Sequence, residues 1–163
     1  MKINTKQLTL TALMLAVVFV VTRFIQIPIP LGYFNIGNSF ILLFCLLVGN
    51  PYGIIAGSLG SALADLTSYP VYTVPTLIIK ALMPLVFYLM CTRFKNNKVI
   101  VIIAAAVSTL IPLIGYSVTG AFLAHSILEG FAQVPGLALE YAANLIIISA
   151  LFKPVSKLKK YVQ

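Results

Sequence analysis

Three acidic side chains occur in the 163 residues, Asp65, Glu129 and Glu140. Two of them fall within or at the edge of long apolar runs, and one lysine, Lys80, does the same. A charge placed in hydrocarbon is costly, and where it persists it commonly marks a ligand site, an ion path or a proton relay. Asp65 closes the third apolar run. Lys80 lies about five residues into the fourth and Glu140 about five into the sixth, so at 1.5 Å per residue both sit on the order of 7–8 Å below one rim. The three charges share nearly one depth. Such a layer fits a ligand pocket or a structural ion-pair network, and the weight given to intramembrane charge favours the pocket. Asn144 follows Glu140 by one turn on the same helical face. Arg23, near the end of the first run, suits a rim position from which it snorkels to headgroups.

Around this layer the intervening segments supply Tyr33, Asn35, Asn38, Tyr69 and Tyr72. Rings beside amides and hydroxyls suit a flat polar ligand, held by stacking and hydrogen bonds. An interfacial tyrosine belt accounts for any single one of them equally well. His125 and Glu129 are four apart, but one His and one Glu do not make a metal centre. Cys45 and Cys91 sit in or at the end of apolar runs, which argues against a disulfide or zinc site. The chain carries no glycine-rich phosphate loop with Lys and Ser/Thr. It also lacks a nucleophile–base arrangement, a cluster of metal ligands, and an inverted repeat with broken helices. Enzymatic function and self-powered transport are therefore disfavoured, no cofactor or metal is expected, and a binding subunit is the better reading. A proton-coupled carrier using Lys80 and Glu140, or an accessory subunit of a membrane enzyme, are the competing classes.

The elements that position these residues follow from composition. The chain is 61% hydrophobic and 9% charged, with mean hydropathy +1.07. A soluble domain of this size cannot hide that much apolar surface. Six runs emerge, at 8–25, 35–48, 52–66, 75–92, 99–118 and 135–152. They are separated by a Pro/Gly loop (26–34), a Gly-Asn-Pro turn (49–51), a polar–aromatic loop (67–74), a basic turn (93–98) and a longer, partly helical connection (119–134). The first run outlasts a signal-peptide core and is read as retained. Spans two and three are short and rich in small residues, which suggests enclosure by other helices.

Nine of the eleven basic residues flank these runs: Lys2 and Lys6, then Arg93, Lys95 and Lys98, then Lys153, Lys157, Lys159 and Lys160. With six spans, all three groups fall on one side, which the positive-inside rule assigns to the cytoplasm. That layout explains the net charge of +8 better than nucleic-acid binding does, since a nucleic-acid patch needs a folded basic face. The expectation is a single all-α domain, 1–163: a polytopic membrane protein with six transmembrane helices and both termini cytoplasmic.

Small residues form a second pattern. Gly53, Gly57, Ser61 and Asp65 recur every four residues along span three, and Ala12 and Ala16 do so in span one. Such faces let helices approach closely in lipid. For span three, internal packing is favoured; for Ala12 and Ala16, contact with another subunit fits equally well.

The stretch from Gly32 to Met83 resembles the substrate-binding S components of energy-coupling factor (ECF) vitamin transporters. The matching pieces are GYFNIGNSFILL, GNPYGIIAGSLGSALADL, the Tyr69-Pro70 loop and PTLIIKALM, with Ala12-x-x-x-Ala16 matching the family's small-residue motif on its first helix. The resemblance implies a multi-pass protein of the bacterial plasma membrane. It would bind a vitamin or precursor at the outer face and dock on a transmembrane coupling subunit that carries two cytoplasmic ATPases, the whole forming an ABC-type importer. ATP would be used by those partners alone. The resemblance further implies docking residues Ala12 and Ala16 and a lid at 26–34, while the substrate-binding residues expected from the polar layer itself are Asn35, Asn38, Asp65, Tyr69, Lys80, Glu140 and Asn144. Many relatives carry Gly-Asp where this chain has Gly37-Asn38. The mixed charges and tyrosines favour a hydroxymethylpyrimidine or pyridoxine-type ring, with pantothenate, its carboxylate near Lys80 or Arg23, as the alternative.

Overall fold

The computed structural model describes residues 5–94 and 97–162, with side chains through Leu158. Lys2, Lys95 and the side chains of Lys159 and Lys160 lie outside the described residues. The elements run α1 (Thr5–Phe24), β1 (Ile27–Ile29), β2 (Gly32–Phe34), α2 (Gly37–Val48), α3 (Tyr52–Ser68), a 3-10 turn (Pro70–Tyr72), α4 (Thr73–Arg93), α5 (Lys98–Leu123), α6 (Ile127–Ala132) and α7 (Val134–Val162). Helix α1 packs on α3, α3 on α4, α4 on α5, and α5 on α7, while α2 lies against α7, α3, α1 and α4.

The solvent of this bundle is visible in its surface. Leu13, Leu59, Ile78, Ile103 and Ile146, from five different helices, are all exposed, while Asn38, Asp65, Lys80, Glu140 and Asn144 are all buried. Apolar outside with charge inside is stable only where hydrocarbon replaces water. Four segments are long and apolar enough to cross a bilayer: α1, 70–93, α5 and the run from Ile127 to Leu158. Helix α2, at 12 residues, reaches only about 18 Å, and α3, at 17, about 25 Å, against a hydrocarbon core of about 30 Å. Length thus supports four of the six expected crossings. Enclosure holds for α2, where every residue except Phe40 and Leu47 is buried. It fails for α3, whose Ile55, Leu59, Leu63 and Leu66 are exposed.

Two connections differ from the sequence reading, and a third, 119–134, is helical in part as expected. Segment 26–34 is an antiparallel hairpin pairing Ile27 with Phe34 and Ile29 with Gly32, so the all-α class needs this one amendment. Pro28 and Pro30 lack the N–H a helix needs. Pro30 and Leu31 make the two-residue turn, with Leu31 at φ 59°. Segment 67–74 is mostly helical rather than a loop. The Thr67 and Ser68 hydroxyls donate back to Ala64 O at 2.8 and 2.6 Å, an internal bonding that keeps hydroxyl residues in a helix. Segment 119–134 is also mostly helical. Helix α5 continues to Leu123, His125 turns the chain at φ 53°, and Ser126 caps α6 by accepting from Glu129 N. At the other end of α5, Asn97 caps by accepting from Ile100 N at 2.9 Å.

The main apolar core gathers Val18, Ile41, Leu42, Met83, Phe87, Val101 and Ile148. It occupies the half of the bundle towards Arg93 and Lys98. The interior of the other half holds the buried charges Asp65, Lys80 and Glu140.

Candidate ligand-binding site

The C-terminal end of α3, the start of α4, the second half of α5, the start of α7 and the hairpin converge at one end of the bundle. Asp65, on the last turn of α3, is the node. Its carboxylate accepts from the Tyr33 hydroxyl of the hairpin and from the Thr76 hydroxyl of α4. Thr76 in turn lies 3.0 Å from the Tyr116 hydroxyl of α5. Burial, then the Asp65 carboxylate, push the Tyr33 phenol well above its ordinary pKa, so it remains a donor. The Tyr33 and Tyr69 rings lie 5.3 Å apart, and those of Tyr72 and Tyr116 6.2 Å apart, spacings at which aromatic pairs attract. Tyr33, Asn35, Asp65, Tyr69, Tyr116 and Gln133 line a cavity of about 30 Å³. That is room for a water or two rather than for a ring.

Against this cavity lies a buried polar layer. Lys80 donates to Asn38 Oδ1, and Asn38 Nδ2 donates to Glu140 Oε1 at 2.7 Å. The second Glu140 oxygen accepts from Asn35 N at 3.4 Å. Lys80 Nζ lies 5.4 Å from the centre of the Tyr116 ring, within cation–π range. Asn144 accepts from Ser39 N at 2.7 Å, and its own amide donates to Glu140 O at 2.8 Å and Asn35 O at 3.2 Å. The Asn35 side chain accepts from Gly37 N at 2.8 Å and so opens α2. A Cβ at Gly37 would stand 2.7 Å from both Asn35 Oδ1 and Thr22 Oγ1, so a larger residue there must displace these side chains.

The expected residues therefore divide. Asn35, Asp65 and Tyr69 line the cavity. Asn38 and Glu140 line a second space of about 10 Å³. Lys80 and Asn144 line neither. Lys80 and Glu140 do share the layer, but as members of a relay through Asn38 rather than as a direct ion pair. Ala12 and Ala16 are exposed on α1, on a helix whose buried residues are Thr11, Val18 and Thr22. His125 and Glu129 are exposed, and among the described residues no group of three or more His, Cys, Asp or Glu is placed to hold a metal. Arg23 lies half-buried beside the Phe24 ring at 5.8 Å. Sequence reasoning missed Thr76, Tyr116, Gln133 and Ser39. Tyr116 was the most legible of these, a polar ring in the middle of an apolar run.

Residues 2–156 match the family described as "ECF-type riboflavin transporter, S component". The chain belongs to this family. Its members are transport subunits rather than enzymes. A solved S component of a bacterial ECF transporter superposes with a TM-score of 0.76 at 19% identity, over 94% of this chain and 96% of that one. At that identity the likeness speaks for the fold. An uncharacterized protein of Pyrococcus woesei, described by its place in the "gap 3'region", is 46% identical over 65 residues, 39% of this chain. The match spans 44% of that protein's length.

Proposed function

We propose that the chain is the substrate-binding subunit of an ECF-type importer, and that it captures a flat, ring-bearing vitamin or precursor at the end of the bundle built around Asp65. The observation that carries this is the polar, tyrosine-walled cavity at one end of a bundle whose outer surface is hydrocarbon. Tyr33 and Tyr69 supply faces for a ring, and Asn35, Asp65 and Gln133 supply hydrogen bonds. Riboflavin is the first ligand to test, because the family is described by riboflavin transport. The small cavity favours a second reading, a smaller ring of the hydroxymethylpyrimidine or pyridoxine kind. A larger ring requires the hairpin to lift as a lid.

The site faces outward in this reading. Arg93, Lys98, Lys153 and Lys157 lie at the ends of α4, α5 and α7 remote from Asp65, and the positive-inside rule assigns that end to the cytoplasm. There the coupling subunit's ATPases would work. Ala12 and Ala16 would form part of the docking face, where close helix approach needs small side chains.

Calorimetry on the purified chain without ATP tests the reading. At least one member of a panel of riboflavin, hydroxymethylpyrimidine, pyridoxine, thiamine and pantothenate is expected to bind saturably, and Lys80→Ala and Glu140→Ala to weaken it. Absence of saturable binding across the panel, with no complex on co-expression with coupling subunits, would sink it. Uptake by liposomes lacking ATPases would instead favour an autonomous carrier.

A further inference from the structure

We infer that this site discriminates by charge: its ligand carries no net negative charge and presents a hydrogen-bond donor, or a positive group, to Asp65. The inference rests on the functional reading above and narrows its substrate class.

Among the described residues, the cavity wall contains one carboxylate and no Lys, Arg or His. Its remaining polar groups are the phenols of Tyr33, Tyr69, Tyr72 and Tyr116 and the carboxamides of Asn35 and Gln133. The nearest cation, Lys80, is 1% exposed. It is engaged by Asn38 Oδ1 and lies against the Tyr116 ring. The next charged group in that layer is a second carboxylate, Glu140, held by Asn38 and Asn35 N. An anion entering here would lose its hydration, a cost of several kcal/mol, and would meet two carboxylates, Asp65 and Glu140, against the single cation Lys80, which already acts on both. A neutral ring avoids that desolvation cost, and a cationic ring, though it loses hydration too, is compensated by Asp65.

Asp65 also has a place for the ligand. Tyr33 and Thr76 now donate to it. Thr76 is fixed in α4, whereas Tyr33 belongs to the hairpin. When the hairpin lifts, one acceptor position on Asp65 opens and requires a donor, because an ionised carboxylate only accepts. An N–H or O–H of the ligand meets that need; a phosphate or carboxylate cannot.

The test uses matched pairs that differ only in an anionic group, titrated into the full chain in lipid nanodiscs: riboflavin and its 5'-phosphate, pyridoxine and its 5'-phosphate, and pantothenol and pantothenate. Thiamine serves as the cationic probe. For any scaffold that binds, the anionic member is expected to bind at least about 100-fold more weakly. Asp65→Asn is expected to shrink that ratio, chiefly by weakening the uncharged member. The wild-type pairs decide the matter even if that variant fails to fold. An anionic member binding within about threefold of its partner would overturn the charge rule while leaving the transport reading intact. A folded Asp65→Asn protein with the wild-type ratio would remove Asp65 as the discriminator. If no scaffold binds, the transport reading falls and takes this inference with it.

Discussion

Lys80 and Glu140 meet through a single amide. Asn38 accepts from Lys80 with its oxygen and donates to Glu140 with its nitrogen, so one side chain from α2 satisfies a cation on α4 and an anion on α7. Only a group that both donates and accepts can stand there. Asn38→Leu leaves both charges buried without their bridge and is expected to cost on the order of 3–5 kcal/mol. Asn38→Asp keeps the bond to Lys80 but turns a second carboxylate towards Glu140. Pairing Asn38→Asp with Glu140→Gln restores a donor and is expected to recover most of the loss. Thermal unfolding of the ligand-free protein in detergent reads all three. Wild-type melting of Asn38→Leu would show that the relay contributes nothing to stability.

The Tyr33 hydroxyl ties the hairpin to α3. Tyr33→Phe keeps the ring against Tyr69 and removes only the bond to Asp65. A hydrogen bond to a charged group contributes about 1.5–3 kcal/mol. Stopped-flow association and dissociation are therefore both expected to accelerate, by about tenfold or more. Unchanged rates would mean that other contacts hold the hairpin, such as Gln26 Nε2 donating to Ser68 Oγ at 3.2 Å and Ile29 packing at Gly136.

Much of this was legible in the sequence, for identifiable reasons. The apolar runs announced helices because hydrocarbon tolerates little else. Asp65, Lys80 and Glu140 stood out because charge is rare in such runs, and all three do lie buried in one half of the bundle. The relay was not legible. Asn38 looked like a pocket residue on its own, and its bridging depends on the placing of α2 between α4 and α7, which no local spacing encodes. Thr76 was passed over because a threonine in an apolar helix usually bonds its own backbone, as Thr109 does to Ala105 O at 2.6 Å. Segment 67–74 misled for the converse reason: its hydroxyl and aromatic residues read as a loop, yet they continue the helices and form the cavity wall.

Ala12 and Ala16 are exposed on α1, the opposite situation from the small residues of α3. Ala12→Trp and Ala16→Trp are expected to abolish co-purification with a coupling subunit while changing ligand affinity less than about threefold. Joint loss of docking and binding would point to misfolding and count against a docking face.

Gly60 makes the contrasting case. A Cβ there would stand 2.8 Å from Leu15 O and 3.1 Å from Val18 Cβ, so glycine allows α3 to lie directly on the backbone of α1. A backbone carbonyl cannot rotate aside as a side chain can, so even Gly60→Ala must separate the helices. Its cost is expected to be about 1–3 kcal/mol, and that of Gly60→Leu larger. Gly60 lies five residues before Asp65, so the displacement is transmitted to the end of α3 that holds Tyr33 and Thr76. Gly60→Ala should therefore lower the melting temperature and weaken ligand binding together, whereas Ala12→Trp should do neither. A Gly60→Ala protein with wild-type melting would show that α1 and α3 yield locally, and that their close approach is not what sets the position of Asp65.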